Sequence, residues 1–128
     1  MTRTGKPKKK PGVRTKLFIA DETIGLGKIN LLDLVGEVGS ISEAARQMGM
    51  GYRRAWFLLN SMQSGFDDPL FMTERGGAGK GGAHLTPLGK ELIKRYRDHV
   101  ALVDQQSSGI LDWMETVQTG SLLDKPER

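Results

Sequence analysis

In the middle of the chain, apolar residues recur with the period of a helix. Between residues 51 and 63, Ala55, Leu58, Leu59 and Met62 follow one another at i, i+3, i+4 and i+7 and so share one side. Arg53, Phe57 and Asn60 fall roughly opposite, with Arg54 and Trp56 on the flanks. A shorter helix precedes it. It is expected to start near Ser42, whose hydroxyl can cap free backbone N–H groups, and to close at Gly49, which can take the left-handed conformation. Ala44 and Ala45 are small where a second helix must cross closely, and Ile41 and Met48 supply apolar anchors. Residues 27–38 form another helix, with Ile29, Leu31, Leu32, Leu34, Val35 and Val38 as its buried stripe. The short apolar run over residues 15–20 reads as one strand. Asp67-Asp68-Pro69 marks a turn before a strand over residues 70–74, and residues 83–85 form the strand returning from a glycine-rich loop.

A long helix is expected from Thr86-Pro87, a capping residue followed by proline in the first turn, running past Val103 as far as Val117. Ile93, Tyr96, Val100, Val103, Ser107, Ile110, Met114 and Val117 recur along it at helical spacing, the signature of a helix–helix seam. The helix extends beyond what so small a body can cover, which favours a seam between two copies of the chain. Ser107-Ser108-Gly109 marks a break or kink.

Charge sharpens this outline. Of nineteen basic residues, seven lie in residues 1–16 with no acid among them, which leaves twelve basic against fifteen acidic residues in the remainder. The basic character thus belongs largely to a Pro- and Gly-containing arm that cannot bury a core. Within the body, residues 40–97 hold nine basic and five acidic residues, whereas 98–128 hold two and six. Positive charge therefore gathers around the two short helices. At 128 residues, the chain suits one domain with its own core. It has no cysteine, which excludes disulfides, thiolate metal sites and a cysteine nucleophile. The only histidines, His84 and His99, make no ligand set, and no cofactor is expected. Without an apolar run of membrane-spanning length or the apolar core of a secretory signal, a cytoplasmic location is expected.

The glycine loop over residues 76–82 contains G-x-G-x-x-G from Gly77 to Gly82. A dinucleotide fingerprint needs a helix opening directly from the loop, and here a strand follows. The phosphate loop of nucleotide hydrolases fails too, because Glu74 stands where its first glycine belongs and Gly81 where it needs Ser or Thr. A hairpin tip carrying Arg75 and Lys80 fits these residues better, its glycines allowing close approach to phosphates. Asp67 and Asp68 are ordinary turn residues. No catalytic constellation emerges, so an enzyme is not expected.

Two short helices around a glycine turn form a helix-turn-helix, which points to the major groove of duplex DNA. Arg53 and Asn60 on the outward face suit bidentate contacts to base edges. The stretches Gly39-Ser40-Ile41-Ser42-x-Ala44-Ala45, Met48-Gly49-Met50 and Tyr52-Arg53-x-Ala55-Trp56 resemble the N-terminal domain of ModE-type molybdate-responsive bacterial regulators. Glu74-Arg75-x-Gly77, the glycines through Gly82 and Leu85-Thr86-x-x-Gly89 continue the likeness, which covers roughly residues 17–104. LysR-type regulators share the Ala-Ala, Pro-Leu-Phe and Leu-Thr-x-x-Gly elements and are the nearest alternative.

The resemblance implies a mainly α fold with a small β wing: a winged helix-turn-helix and a long C-terminal dimerisation helix. The expected organisation is a disordered basic arm (1–16), a DNA-binding domain (17–86), the dimerisation helix (87–119) and a flexible tail (120–128). It further implies a transcriptional regulator that binds a palindromic operator in double-stranded DNA as a homodimer. Arg53, Phe57 and Asn60 are then expected to contact bases, and Ser42, Tyr52, Arg54, Arg75 and Lys80 the DNA backbone. Ile93, Tyr96, Val100, Val103, Ile110, Met114 and Val117 would form the dimer seam.

Two residues depart from the family pattern. Gly51 stands where a Ser cap is usual, and Phe57 occupies an outward position that is polar in relatives, where its ring could meet a thymine methyl. The family's molybdate-binding domains follow its DNA-binding domain, and this chain is expected to lack them, which leaves the effector unknown. The alternative function is a dimerisation or interaction module of the same fold without specific DNA readout.

Overall fold

A computed structural model describes residues 9–74 and 81–120. Arg75 and Lys80, the first eight residues of the basic arm and the tail from residue 121 lie outside the described residues. The elements in order are β1 (Leu17–Ile19), β2 (Glu22–Ile24), α1 (Leu26–Val38), α2 (Ile41–Gln47), α3 (Tyr52–Gln63), β3 (Phe71–Glu74), β4 (Gly82–Leu85) and α4 (Pro87–Val117). This is the mainly α architecture with a small antiparallel wing and a long last helix that the sequence leads one to expect. The chain divides into two compact units, Arg14–His99 and a second made of Met1–Val13 with Val100–Arg128.

In the first unit, β1 is not a lone strand: it pairs antiparallel with β2, Leu17 opposite Ile24 and Ile19 opposite Glu22. The turn between them holds Ala20 at φ 47° and Asp21 at φ 69°. Two successive positive φ values match the twist of a tight hairpin, at a steric cost to the alanine.

Helix α1 contributes Ile29, Leu31, Leu32 and Val35 to the core, where Leu59, Met62 and Leu70 are also fully buried. It closes at Gly39, φ 74°, whose N–H donates to the Val35 carbonyl at 2.9 Å. The Gly39 carbonyl in turn accepts from the Ala83 N–H at 2.9 Å, tying the end of α1 to β4.

Strands β3 and β4 pair antiparallel, from Phe71 opposite Leu85 to Glu74 opposite Gly82. Thr86 then starts α4, its Oγ1 accepting from the Gly89 N–H at 3.1 Å and donating to the Pro69 carbonyl at 2.7 Å. Gly89 permits a contact that no other residue would, since a Cβ there would lie 2.1 Å from the Leu70 carbonyl oxygen. Further along α4, the Tyr96 hydroxyl donates to the Thr15 carbonyl at 2.6 Å, and burial pushes this phenol above its ordinary pKa. Arg97 pairs with Asp33 of α1 at 2.9 Å.

In the second unit, the Gln118 side-chain amide donates to the Lys9 carbonyl at 3.2 Å. Helix α4 runs without interruption through Ser107-Ser108-Gly109, so the break suggested by those residues is absent. Their helix penalties are each no more than about 1 kcal/mol and do not stop a helix this long.

The expected seam divides in two. Ile93 and Tyr96 are buried by their own chain and belong to the core of the first unit. Val100, Val103 and Ser107 are half-buried. Ile110, Met114 and Val117 are exposed, together with Leu102 and Trp113, which the sequence reading did not single out.

Candidate nucleic-acid interface

The helix-turn-helix begins one residue pair earlier than Ser42 suggested. Ser40 is the N-cap of α2, and its Oγ accepts the Glu43 N–H at 3.0 Å. Ser40-Ile41-Ser42-Glu43 has the Ser-x-x-Glu spacing of a helix start, and the spacing, not the nearest serine, carries the information. Ser42 is left exposed inside the first turn. The Glu43 side chain accepts hydrogen bonds from Arg46 and Gln47, which hold its pKa down at about 2. Arg46 is thus already engaged within α2. Gly49 takes the left-handed conformation at φ 71°, as expected.

Helix α3 opens from Gly51 without a side-chain cap. It buries Ala55, Leu59 and Met62, and Leu58 is half-buried at the edge of that stripe. The opposite face lies as the periodicity indicates: Arg53 and Phe57 are exposed and Asn60 is half-buried. Tyr52 and Arg54 are exposed beside them. No acid occurs between Tyr52 and Gln63, and neither Arg53 nor Arg54 forms an ion pair among the described residues. This face therefore offers two unneutralised guanidinium groups, an amide and an aromatic ring.

Trp56 has a different job. Its ring meets Phe71 edge to face at 5.9 Å, fixing α3 against the first wing strand. Gln63 holds the other end of the same junction, its Oε1 accepting from the Leu70 N–H at 2.8 Å and the Phe71 N–H at 3.2 Å. Between α2, α3 and the wing lies an open groove of 490 Å³. Ser42, Tyr52 and Thr73 bring hydroxyls to it and Glu74 a carboxylate. Glu74 also lies 3.8 Å from His84 across the hairpin. Thr73 escaped the sequence reading because nothing in a four-residue strand announces which side faces a groove.

Among the described residues no group of three or more His, Asp or Glu could hold a metal ion. Nor is any helix there long and apolar enough to cross a membrane.

A helix-turn-helix whose second helix presents an exposed, acid-free face beside an antiparallel hairpin defines the winged helix-turn-helix class. No protein-family model matches the chain. It is 40% identical over 73 residues to the molybdenum-pterin-binding protein MopB of Rhodobacter capsulatus, covering 57% of this chain and 27% of that protein. It is 39% identical over 80 residues to the transcriptional regulator ModE of Yersinia pestis, covering 62% and 30%. The DNA-binding transcriptional dual regulator ModE of Escherichia coli K12 is 35% identical over 96 residues, covering 75% and 36%. The matched stretch thus spans about a third of each relative's length. The ModE regulators and MopB are homologues of this chain, and the homology is consistent with a ModE-type N-terminal domain.

Proposed function

We propose that the chain is a sequence-specific DNA-binding transcriptional regulator. The observation that carries this reading is the outward face of α3, where Arg53, Arg54, Phe57 and Asn60 stand together without an acid or an ion pair. In the proposed complex, Arg53, Phe57 and Asn60 meet base edges in the major groove. Ser42, Tyr52 and Arg54 contact the phosphate backbone, as do Arg75 and Lys80 of the wing loop. Relatives named as transcriptional regulators support the same reading.

The regulator acts as a homodimer on a palindromic operator. The support is the apolar strip of Leu102, Ile110, Trp113 and Val117, more than half of each side chain's surface being exposed. Burying that strip against a second copy removes it from water. Two recognition helices related by a two-fold axis match half-sites about 34 Å apart.

Mobility shifts of genomic fragments in excess competitor DNA test this function. A small set of fragments retained at high competitor supports it. Retention of all fragments alike, or of none, favours an interaction module with the same fold.

A further inference from the structure

Phe57 is 67% exposed, although a phenylalanine gains more than most side chains from leaving water. It is not at the margin of the helix. Opposite the Ala55, Leu59 and Met62 stripe, Phe57 lies at the centre of the outward face, with Arg53 one turn before it and Ser61 one turn after. Its neighbours one turn away, Arg53, Arg54, Asn60 and Ser61, are all cationic or polar. The one aromatic residue beside it, Trp56, lies on the flank with its ring packed edge to face on Phe71, so the centre of the outward face carries a single apolar group among hydrogen-bonding ones. An isolated apolar group among hydrogen-bonding ones suits a surface that is itself mostly polar but carries single methyl groups. The major groove is such a surface, where the C5 methyl of thymine is the apolar feature on a base edge.

We propose that Phe57 is a specificity-determining residue that reads the C5 methyl of a pyrimidine, close to a purine contacted by Arg53. This deepens the DNA-binding reading above and rests on it. Residues one turn apart are separated by about 6 Å along the helix axis. Base steps along a strand are about 3.4 Å, so the two side chains address positions one or two steps apart. Arg53 supplies a forked donor for guanine O6 and N7, and Phe57 supplies contact area for the methyl. Because Phe57 senses the methyl and not the hydrogen-bonding edge, thymine and 5-methylcytosine satisfy it equally.

The test uses the duplex most strongly enriched from a random pool by the full chain. Each thymine is replaced singly by deoxyuridine, which deletes the methyl and leaves both hydrogen-bonding edges intact. The wild type should lose about fourfold in affinity at one thymine per half-site, the effect of one methyl-sized group. Phe57→Ser should bind more weakly and show no further loss at that position, while keeping any penalties at other thymines. Its exposed position makes the variant safe for the fold, which circular dichroism checks. Exchanging the sensitive T·A pair for C·G should weaken wild-type binding, and 5-methylcytosine there should restore part of the loss. Indifference of the wild type to every uracil overturns the inference alone, as does an unchanged uracil penalty in Phe57→Ser. Failure to enrich any sequence overturns the DNA-binding reading together with it.

Discussion

Replacing Gln63 with alanine removes one side-chain oxygen that fixes the wing strand to the recognition helix. That oxygen accepts two backbone N–H groups, from Leu70 at 2.8 Å and Phe71 at 3.2 Å. Leu70 is fully buried and Gln63 half-buried, so truncating Gln63 leaves the Leu70 N–H without its amide partner in a largely covered position. Losing the longer Phe71 bond costs about 1 kcal/mol net, and leaving the Leu70 donor unsatisfied costs about 1–3 kcal/mol, giving a destabilisation of about 2–4 kcal/mol. For a domain of this size, that corresponds to a fall in Tm of roughly 10–20 °C. Urea titration followed by far-ultraviolet circular dichroism, at one fixed protein concentration, measures it, with a shifted midpoint and an unchanged slope expected. Gln63→Glu keeps an acceptor in place and should retain most of the stability. A loss under about 0.5 kcal/mol for Gln63→Ala would refute the reasoning, because a lost surface bond costs no more. Equal losses for both variants would also refute it.

Three further outcomes follow from the same geometry. Gly89→Ala places a Cβ 2.1 Å from the Leu70 carbonyl oxygen, a backbone atom that cannot swing aside, so it should cost at least about 2–3 kcal/mol in the same titration. Ala20→Gly relieves a left-handed alanine at φ 47° and should raise stability by up to about 1 kcal/mol, read as a higher thermal midpoint. Ile110→Glu, at a position 60% exposed, should leave the fold intact yet weaken self-association by at least about tenfold in sedimentation, since it sets like charges on a shared seam.

Periodicity revealed helix α3 and its buried side because Ala55, Leu59 and Met62 are spaced by the helix itself. The hairpin partner β2 was not legible. Its residues are too few and too polar to alternate, and the Ala20-Asp21 turn lacks the glycine or asparagine that usually marks positive φ. The start of α2 is legible in the Ser40-x-x-Glu43 spacing, whereas Ser42 alone points one residue pair too far along. For α4, the sequence shows an apolar stripe without showing what covers it. Ile93 and Tyr96 are covered by their own chain, whereas Ile110 and Val117 are not. Leu102 and Trp113 do not fall on the apolar stripe that starts at Ile93, because the exposed strip is displaced around the helix from the buried one. In the candidate interface, Arg53, Phe57 and Asn60 were readable as outward-facing from spacing alone. Thr73, and the anchoring of Trp56 by Phe71, depend on strand packing that spacing does not encode.

Binding of wild type and Arg53→Ala to two duplexes of equal length, the selected sequence and a scrambled one, at one salt concentration, tests the central claim most directly. If α3 reads bases, the alanine variant loses about 1–3 kcal/mol on the selected duplex, roughly five- to 150-fold, with little change on the scrambled one. Equal loss on both duplexes would contradict base readout by Arg53 and assign it to phosphate contact, and no loss on either would remove Arg53 from the interface.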